Sequence, residues 1–337
     1  MVSIIIPVFN RKKYTEAMIS SIVVQTNPDW ELLLVDDGST DGTLDLLKSF
    51  VSKDNRIKLF QRDRLPKGGQ TCRNIGFENS QGEYVIFFDS DDLIAPYCIE
   101  QRIRFMNEHK NVDFGIFPAH TFFDERNHST CKKSDQIYGV KHKTDALSSF
   151  LRLEYQFTIW TNIYRKSSIV DLSWDENVLI LQDLDFNISA LIAGKSFAFA
   201  EDCKFDYYYR ILYSSDTVCA NFVSKEKCES TIYLFSKTLD KLSFMSDFKK
   251  YKRDLAFYIA LYFERILIDA DIDNIEKYLK FCHHKYSKSL TFRLSIVAKA
   301  TMLFKSPNAR MNIPHVFNMI LIPRMGLSSL INKIKSK

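Results

Sequence analysis

Paired cysteines, membrane-length apolar runs and a basic leader are all missing from this chain of 337 residues. Its seven cysteines are odd in number, scattered and without a C-x-x-C pair. We therefore expect no disulfide framework and no zinc site, and a reducing cytoplasm as the location. No apolar stretch approaches the roughly 20 residues that a membrane-spanning helix needs. The first apolar run is short and ends in a strand-like proline, so we expect no signal peptide.

Acidic residues are missing from the C-terminal stretch. Residues 277–337 contain twelve Lys or Arg and no Asp or Glu, although the net charge of the whole chain is only +5. A basic amphipathic segment is expected to lie on an anionic membrane face, as a peripheral attachment on the inner side of the cell membrane. The alternatives are a basic face packed on its own domain and a nucleic-acid surface, for which no reading motif is present. The apolar residues at helical spacing are Leu290, Leu294, Val297, Ala298, Phe317, Ile320 and Leu321.

Strand and helix patterns alternate through the first part of the chain. Short apolar runs typical of buried strands occupy residues 3–10, 31–35, 57–60 and 84–88, with helical stretches between them. This order predicts an α/β fold with a mostly parallel sheet and helices on both faces. Helical spacing at 225–240, 251–269 and 275–284 predicts a C-terminal helical region, in which the stripe Leu255, Ile259, Tyr262, Phe263 and Ile266 is expected to be a packed face.

Carboxylates follow two of the predicted strands where each strand ends. Asp36 and Asp37 follow the second strand, and Asp-Ser-Asp-Asp at 89–92 follows the fourth. Ligands bind at the carboxyl ends of parallel strands, so both clusters should share one edge of the sheet. Crowded carboxylates repel one another unless a counter-charge arrives, and Mg²⁺ or Mn²⁺ typically binds one or two carboxylates together with substrate phosphates. The alternatives are a polar turn in which Asp92 caps the next helix, and a tight turn at 36–38 held by side-chain-to-backbone bonds.

Three stretches carry a family resemblance: SIIIPVFN at 3–10, VDDGSTDGT at 35–43 and CRNIGFENSQGEYVIFFDSDD at 72–92. Together they resemble the N-terminal half of a family 2 glycosyltransferase with the GT-A fold, which is Rossmann-like. Three motifs at this spacing are far more specific than one short motif. Weaker similarity continues to about residue 220. The resemblance implies a bacterial surface-polysaccharide enzyme that uses a nucleoside diphosphate sugar.

The resemblance assigns the nucleotide base to the first two motifs. Pro7, Phe9 and Asn10 would form a wall of the base pocket. Asp37 would accept the imide N–H of a uracil or similar base, and Asp36 would support the base or the ribose.

The third motif would hold the diphosphate. Arg73 would reach the base or the phosphates. In the D-x-D element formed by Asp89, Ser90 and Asp91, the resemblance makes Asp91 the direct ligand of Mn²⁺ or Mg²⁺ and directs Asp89 toward the ribose as the second metal-site residue. The cation would neutralise the leaving nucleoside diphosphate.

A general base is also required, because a sugar hydroxyl is a poor nucleophile at neutral pH. Asp183 lies where this family places its base, just before a helix that Gly194 ends. Helix capping is the alternative for Asp183, and Asp185 could take either role. Glu usually precedes this Asp, whereas this chain has Gln182. Loss of a neighbouring negative charge should lower the pKa of Asp183 if the two side chains lie close.

The acceptor side is less well specified. Trp160 could stack on an acceptor sugar ring or pack in the core. Asp185 and Arg210 are further acceptor-side residues, and Arg210 could instead touch phosphate or cover the surface. Residues 120–157 are expected to select the donor sugar and the acceptor.

We therefore predict an inverting, metal-dependent glycosyltransferase that moves a hexose or N-acetylhexosamine, from UDP in particular, to a glycan or lipid-linked oligosaccharide. Residues 1–115 would bind the nucleotide sugar, 116–222 the acceptor, and 223–337 would form the basic helical region. One alternative is a nucleotidyltransferase, although residues 7–11 lack the glycine that its phosphate loop needs and that a dinucleotide fingerprint also requires. The other alternative is a sugar-nucleotide-binding protein without activity, which only Gln182 suggests.

Overall fold

The computed structural model describes residues 1–122, 137–142, 144–211, 224–269 and 272–304. The strands in these ranges are β1 (Val2–Val8), β2 (Trp30–Asp36), β3 (Ile57–Gln61), β4 (Tyr84–Phe87), β5 (Leu93–Ile94), β6 (Phe114–Ile116), β7 (Ala119–Phe122), β8 (Ile137–Tyr138), β9 (Asn162–Arg165), β10 (Phe197–Phe199) and β11 (Tyr207–Arg210). The helices are α1 (Lys12–Val23), α2 (Thr43–Val51), α3 (Gly69–Asn79), α4 (Cys98–Glu108), α5 (Ala146–Leu151), α6 (Gln182–Ile192), α7 (Lys225–Leu242), α8 (Phe248–Asp269), α9 (Ile272–Phe281) and α10 (Lys288–Phe304).

The main sheet has seven strands in the order β10-β6-β9-β4-β1-β2-β3. Strands β4, β1, β2 and β3 are parallel neighbours, and β9 runs antiparallel between β4 and β6. A second sheet has the order β5-β11-β7-β8. The predicted α/β fold with a mostly parallel sheet is confirmed, and so is the C-terminal helical region.

The parallel strands form because their sequences are apolar on both faces. Every residue of β2 is buried, and Ile4, Ile5 and Ile6 of β1 are fully buried. Such continuous apolar runs are typical of parallel strands that are covered on both sides.

The register of these strands brings the predicted motifs to one edge of the sheet. Val8 pairs with Asp36, and the backbone N–H of Asp37 donates to the Val8 carbonyl. Phe87, the last residue of β4, pairs with Ile5, so Asp89 follows just beyond the end of its strand. The carboxyl ends of β1, β2 and β4 therefore meet, which is where ligands of α/β sheets bind.

The C-terminal helices α7, α8 and α9 pack against one another as a bundle-like layer. Ser224 caps α7 by accepting from the Lys227 N–H, and Leu255, Ile259 and Phe263 on α8 are buried. Tyr262 is buried as well, and the side chain of Ile266 lies outside the described part of the chain. These four residues confirm the expectation of a packed helix face.

At the start of the basic stretch, the apolar positions support the alternative of a face packed on its own domain. Leu294 and Ala298 on α10 are buried within the protein, and Leu290 is half-buried against the core. These apolar positions serve packing of α10 and do not face lipid, because the other helices already cover them. Phe317, Ile320 and Leu321 lie outside the described residues. Among the helices of the described ranges, none combines the length and the apolar character needed to cross a membrane.

Candidate active site

The turn after β1 forms one wall of the candidate site. Asn10 has a positive φ of 48°, and its side-chain oxygen accepts from the Thr40 N–H at 2.8 Å. The Asn10 N–H in turn donates to Ser39 Oγ at 3.0 Å. Phe9 is 39% exposed, with the Lys67 ammonium 3.4 Å from the centre of its ring. The wall is thus aromatic and cationic. Pro7 is half-buried in β1, where it pairs with Val35 of β2.

Asp36 is fully buried and holds the turn after β2. Its carboxylate accepts from the backbone N–H groups of Gly38 and Ser39 at about 3.1 Å. Gly38 has a φ of 86°, which the absence of a side chain permits. The contacts of Asp36 therefore support the alternative of a tight turn held by side-chain-to-backbone hydrogen bonds.

Asp37 lies beside it and faces a basic loop. Its carboxylate accepts from Arg62 Nε and, at 3.3 Å, from the Gly68 N–H. The Asp37 side chain is 6% exposed and that of Arg62 is 17% exposed. Asp37 is thus an oriented acceptor at the edge of the sheet, and its contact with a base stays a prediction.

Each carboxylate of the D-x-D element has an arginine partner. Asp89 accepts from Arg73 at 2.8 Å, and Asp91 accepts from Arg11 Nε at 3.2 Å. Burial and the nearby Asp89 raise the pKa of Asp91, and Arg11 opposes this rise. Ser90 between them is buried. Part of the counter-charge that the acidic cluster requires is therefore supplied by the protein.

Asp92 anchors this turn to the second sheet. Its carboxylate accepts from the Tyr207 hydroxyl at 2.5 Å and from the Arg210 N–H at 2.6 Å. Burial raises the pKa of Asp92 well above its usual range, and Asp91 and Asp89 add to the rise. The alternative in which Asp92 caps the following helix is wrong, because no side chain caps α4 and both oxygens of Asp92 are engaged by β11.

Arg73 joins the two halves of the site. The Arg73 guanidinium lies 2.8 Å from Asp89 and 3.8 Å from Asp183, and its Nη1 donates to Gln182 at 3.3 Å. It also lies 4.5 Å from the centre of the Trp174 ring. Burial disfavours the charge, but Asp183 and Asp89 together raise the pKa of Arg73. A single buried cation therefore connects the D-x-D element with the predicted base.

Asp183 lies in the first turn of α6. No side chain caps this helix, so the capping alternative does not hold for Asp183. Removal from water raises the pKa of Asp183 to about 6; Arg73 lowers it and Asp89 raises it. The side chain is still 39% exposed and is open to the cleft. A partly open carboxylate with a pKa near neutrality suits proton transfer.

Gln182 has a defined place in the hydrogen-bond network. Its amide donates to Gln70 at 2.5 Å and to the Leu179 carbonyl at 3.2 Å, while its oxygen accepts from Arg73. Gln182 is neutral, so among the described residues the carboxylates paired with Arg73 are those of Asp89 and Asp183. The loss of a charge at position 182 was expected to lower the pKa of Asp183, whereas burial raises that pKa to about 6.

Two acceptor-side expectations are corrected. Trp160 is 3% exposed and stacks on Tyr207 and Tyr209, with ring centres 4.8 and 5.3 Å away. Asp185 is also 3% exposed and forms an ion pair with Lys237 of α7 at 2.7 Å. Neither side chain is available to an acceptor, because each is already enclosed by protein.

Arg210 holds the turn at residues 89–92. Its Nε donates to the Asp91 carbonyl at 2.6 Å, and its guanidinium lies over the rings of Tyr14 and Phe122. The residue is 4% exposed. Arg210 thus positions Asp91 from behind, and the expected contact with an acceptor is not supported.

Several residues that shape the site were not found from the sequence. Arg11 and Arg62 supply guanidinium groups to Asp91 and Asp37, and Lys67 covers Phe9. Tyr207 links Asp89 and Asp92 through its hydroxyl. In the sequence, the one signal for these residues was the position of Arg11, which directly follows the turn that closes β1.

The donor set fits a divalent cation. Asp89 and Asp91 offer hard carboxylate oxygens, and their side chains are 26% and 21% exposed. Among the described residues no three His, Cys, Asp or Glu side chains form a cluster that could hold a metal unaided. A cation here would complete its coordination with phosphate oxygens and water, as Mg²⁺ usually does.

A parallel sheet with a D-x-D turn at its carboxyl edge and a carboxylate across the cleft defines a transferase of the GT-A class. The family model described as glycosyl transferase family 2 matches residues 3–170. An uncharacterized glycosyltransferase of Haemophilus influenzae is 31% identical over 244 residues, which cover 70% of this chain and 86% of that protein. The chain belongs to glycosyltransferase family 2, and it is a glycosyltransferase enzyme. This membership rules out the nucleotidyltransferase alternative.

Solved structures agree on the fold. Staphylococcus aureus TarS 1–349 in complex with UDP-GlcNAc superposes with a TM-score of 0.65 at 21% identity, covering 89% of this chain and 87% of that one. The mannosyltransferase PcManGT from Pyrobaculum calidifontis, in complex with GDP-Man and Mn²⁺, has a TM-score of 0.50 at 14% identity, covering 90% and 87%. At these identities the likeness establishes the GT-A fold alone. The two neighbours hold different nucleotides, so fold does not select the donor.

Proposed function

We propose that this enzyme is an inverting, metal-dependent glycosyltransferase that uses a nucleoside diphosphate sugar, UDP-hexose or UDP-N-acetylhexosamine in particular. The observation that carries the proposal is the position of Arg73, which contacts Asp89 of the D-x-D element at 2.8 Å and lies 3.8 Å from Asp183. The leaving group and the attacking hydroxyl must lie on opposite sides of the sugar carbon. Within a single cleft, Arg73 contacts Asp89, which would serve the leaving group, and lies beside Asp183, which would serve the attacking hydroxyl.

The donor would lie along the carboxyl edge of the sheet. Phe9 offers an exposed ring for a nucleobase, and Asp37 offers a buried, oriented acceptor for a base N–H. Asp36 acts through the turn that places Asp37, since its own oxygens are engaged by backbone N–H groups. The choice of UDP rests on the imide donor of uracil, which such an acceptor fits.

Asp91, with Asp89, would hold Mn²⁺ or Mg²⁺. When bound, the cation neutralises negative charge that develops on the departing diphosphate. Arg73 adds a second, fixed positive charge beside Asp89. Charge stabilisation by preorganised groups of this kind is usually a large part of catalysis.

Asp183 would act as the general base. Its carboxylate takes the proton from the acceptor hydroxyl while the acceptor oxygen bonds to the anomeric carbon. The bond from that carbon to the diphosphate oxygen breaks in the same step, and the nucleoside diphosphate leaves. One displacement inverts the anomeric centre, so an α-linked donor gives a β-linked product.

The acceptor class follows from the family resemblance and from charge. We propose that the acceptor is a glycan or lipid-linked oligosaccharide of a surface polysaccharide. Residues 1–115 would bind the donor, residues 116–222 would bind the acceptor, and residues 223–337 would form a basic helical region.

On α10 the side chains of Phe292 and Ile296 are exposed beside Lys288, and six further Lys or Arg follow residue 304. Each Lys or Arg near an anionic leaflet contributes about 1 kcal/mol, so reversible attachment to the cytoplasmic face is expected.

Donor hydrolysis tests the proposed reaction. A panel of UDP-, GDP- and dTDP-linked sugars is incubated with the enzyme and Mn²⁺, and release of nucleoside diphosphate is measured. We expect turnover of a UDP-sugar that stops in EDTA and in Asp91→Ala, with Asp63→Ala as an acidic surface control. Turnover that is equal in EDTA would contradict the metal role, and turnover of GDP-sugars alone would contradict the choice of UDP.

Vesicle flotation tests the membrane attachment separately. The full chain should float with anionic vesicles, stay unbound with neutral ones, and be released by high salt because the attraction is screened. Equal binding to both vesicle types, or to neither, would remove the electrostatic attachment and leave the transferase reaction unaffected.

A further inference from the structure

Arg11 has a contact that neither the family resemblance nor the proposed reaction assigns. Its Nε donates to Asp91 Oδ2 at 3.2 Å, on the side chain that is expected to bind the cation. Arg11 and Asp91 are 19% and 21% exposed, so the pair is mostly removed from water. Charge pairs at such sites are screened much less than those on the open surface.

The backbone holds Arg11 in this place. Its N–H donates to Thr43 Oγ1 at 3.1 Å, and its carbonyl accepts from the Thr15 hydroxyl at 2.8 Å. Its Nη1 donates to the Asn10 carbonyl at 3.2 Å. The guanidinium is therefore directed at Asp91 by the turn after β1.

Asp91 is also fixed from the opposite side. The Arg210 side chain binds the Asp91 carbonyl at 2.6 Å, and Asp92 next to it is locked to β11. The backbones on both sides of the Arg11–Asp91 pair are therefore held in place. A cation that binds the Asp91 carboxylate meets the positive charge of the guanidinium, which already engages Oδ2.

We propose that Arg11 is a positioning residue that competes with the divalent cation for Asp91, so that the cation binds tightly only together with a nucleoside diphosphate. This inference rests on the proposed function. A cation alone displaces Arg11 and leaves two positive groups side by side. A diphosphate brings negative charge that can pair with the cation and with the released guanidinium. By thermodynamic linkage the diphosphate and the cation then strengthen each other's binding equally.

The test measures Mn²⁺ binding directly, from the electron paramagnetic resonance signal of free Mn²⁺, with and without UDP. Four proteins are compared: wild type, Arg11→Gln, Arg11→Lys and Arg56→Gln. Arg56 is a matched control because it pairs with Asp54 just before β3, at the opposite edge of the sheet. Arg11→Met replaces Arg11→Gln if the latter does not fold, since it keeps most of the chain length.

In wild type we expect weak Mn²⁺ binding that UDP strengthens by about 5- to 150-fold, the usual range for coupled sites. Arg11→Gln should bind Mn²⁺ alone several-fold more tightly, and UDP should strengthen that binding less. Arg11→Lys and Arg56→Gln should behave as wild type, because the first keeps the competing charge and the second never competes.

Equal or weaker Mn²⁺ binding by Arg11→Gln without UDP would overturn the inference. If wild type still shows strengthening by UDP in that case, the metal role stands and only the role of Arg11 fails. If UDP does not strengthen Mn²⁺ binding in wild type either, the metal-dependent reaction fails together with the inference.

Discussion

The two sides of the cleft are built from different kinds of contact. On the donor side, formed by the turns after β1, β2 and β4, Asp37, Asp89 and Asp91 remain at the edge of the cleft and pair with arginines. On the proposed acceptor side, within residues 116–222, Asp183 is the predicted residue that reaches the cleft, while Trp160 and Asp185 are enclosed. The donor side is thus set by strand ends, and the acceptor side by packing between separate segments.

This difference has a physical basis. A residue that directly follows a parallel strand must emerge at the carboxyl edge, so its place is fixed by local structure. A residue on a helix such as Asp185 faces the cleft or a neighbouring helix according to what packs beside it. In this protein α7 brings Lys237 to Asp185, and the pair turns that carboxylate away from the acceptor.

The largest expected effect separates the two carboxylates of α6. Asp183→Asn keeps the size of the side chain but cannot accept a proton, so turnover should fall by roughly 10²–10⁴. Donor affinity should change little, because the base faces the acceptor. Steady-state kinetics and UDP calorimetry measure the two quantities.

Asp185→Asn is the matched control for this change. It should retain turnover within a few-fold, since Asp185 is committed to Lys237. Near-normal turnover in Asp183→Asn together with loss in Asp185→Asn would mean that the base has been assigned to the wrong carboxylate.

A smaller effect sharpens the distinction between packing and binding at Trp160. Trp160→Ala should reduce the free energy of unfolding by about 3–5 kcal/mol, because it removes a buried ring that stacks on two tyrosines. Trp160→Phe should lose less stability and should leave the KM for the acceptor unchanged. Urea unfolding and acceptor titrations measure these values. A stable Trp160→Phe variant with a tenfold higher acceptor KM would restore Trp160 to the acceptor site.

The smallest effect concerns pH. The pKa of Asp183 is raised to about 6, mainly by burial. Asp183 must be deprotonated to act as a base, so turnover should rise with pH up to about 6 and be flat above it. A bound cation would move this limb to lower pH, since positive charge favours the carboxylate. A pH profile of kcat with an acidic limb above pH 7 would contradict the assignment.

The sequence predicted the sheet and the edge at which the two acidic clusters lie, because both depend on local patterns. Apolar runs of strand length placed Asp36, Asp37 and the 89–92 cluster correctly at one edge. Asp183 was expected just before its helix, whereas α6 already begins at Gln182 and Asp183 lies in its first turn.

What the sequence did not predict depends on contacts between distant segments. Nothing in the spacing of Arg11 or Arg62 indicates that their guanidinium groups reach Asp91 and Asp37. Helix capping was one alternative for Asp92, but Tyr207 of β11, 115 positions away, holds its carboxylate instead. The same applies to Trp160, whose burial depends on the second sheet.

The configuration of the product tests the central claim most directly. With an α-linked UDP-sugar as donor and a soluble glycan as acceptor, the anomeric centre of the product is assigned by proton NMR as it forms. One displacement assisted by Asp183 predicts a β-linkage in wild type and product formation that is slower by roughly 10²–10⁴ in Asp183→Asn. An α-linked initial product would contradict the proposed mechanism, because retention requires a second step that this arrangement of residues does not explain.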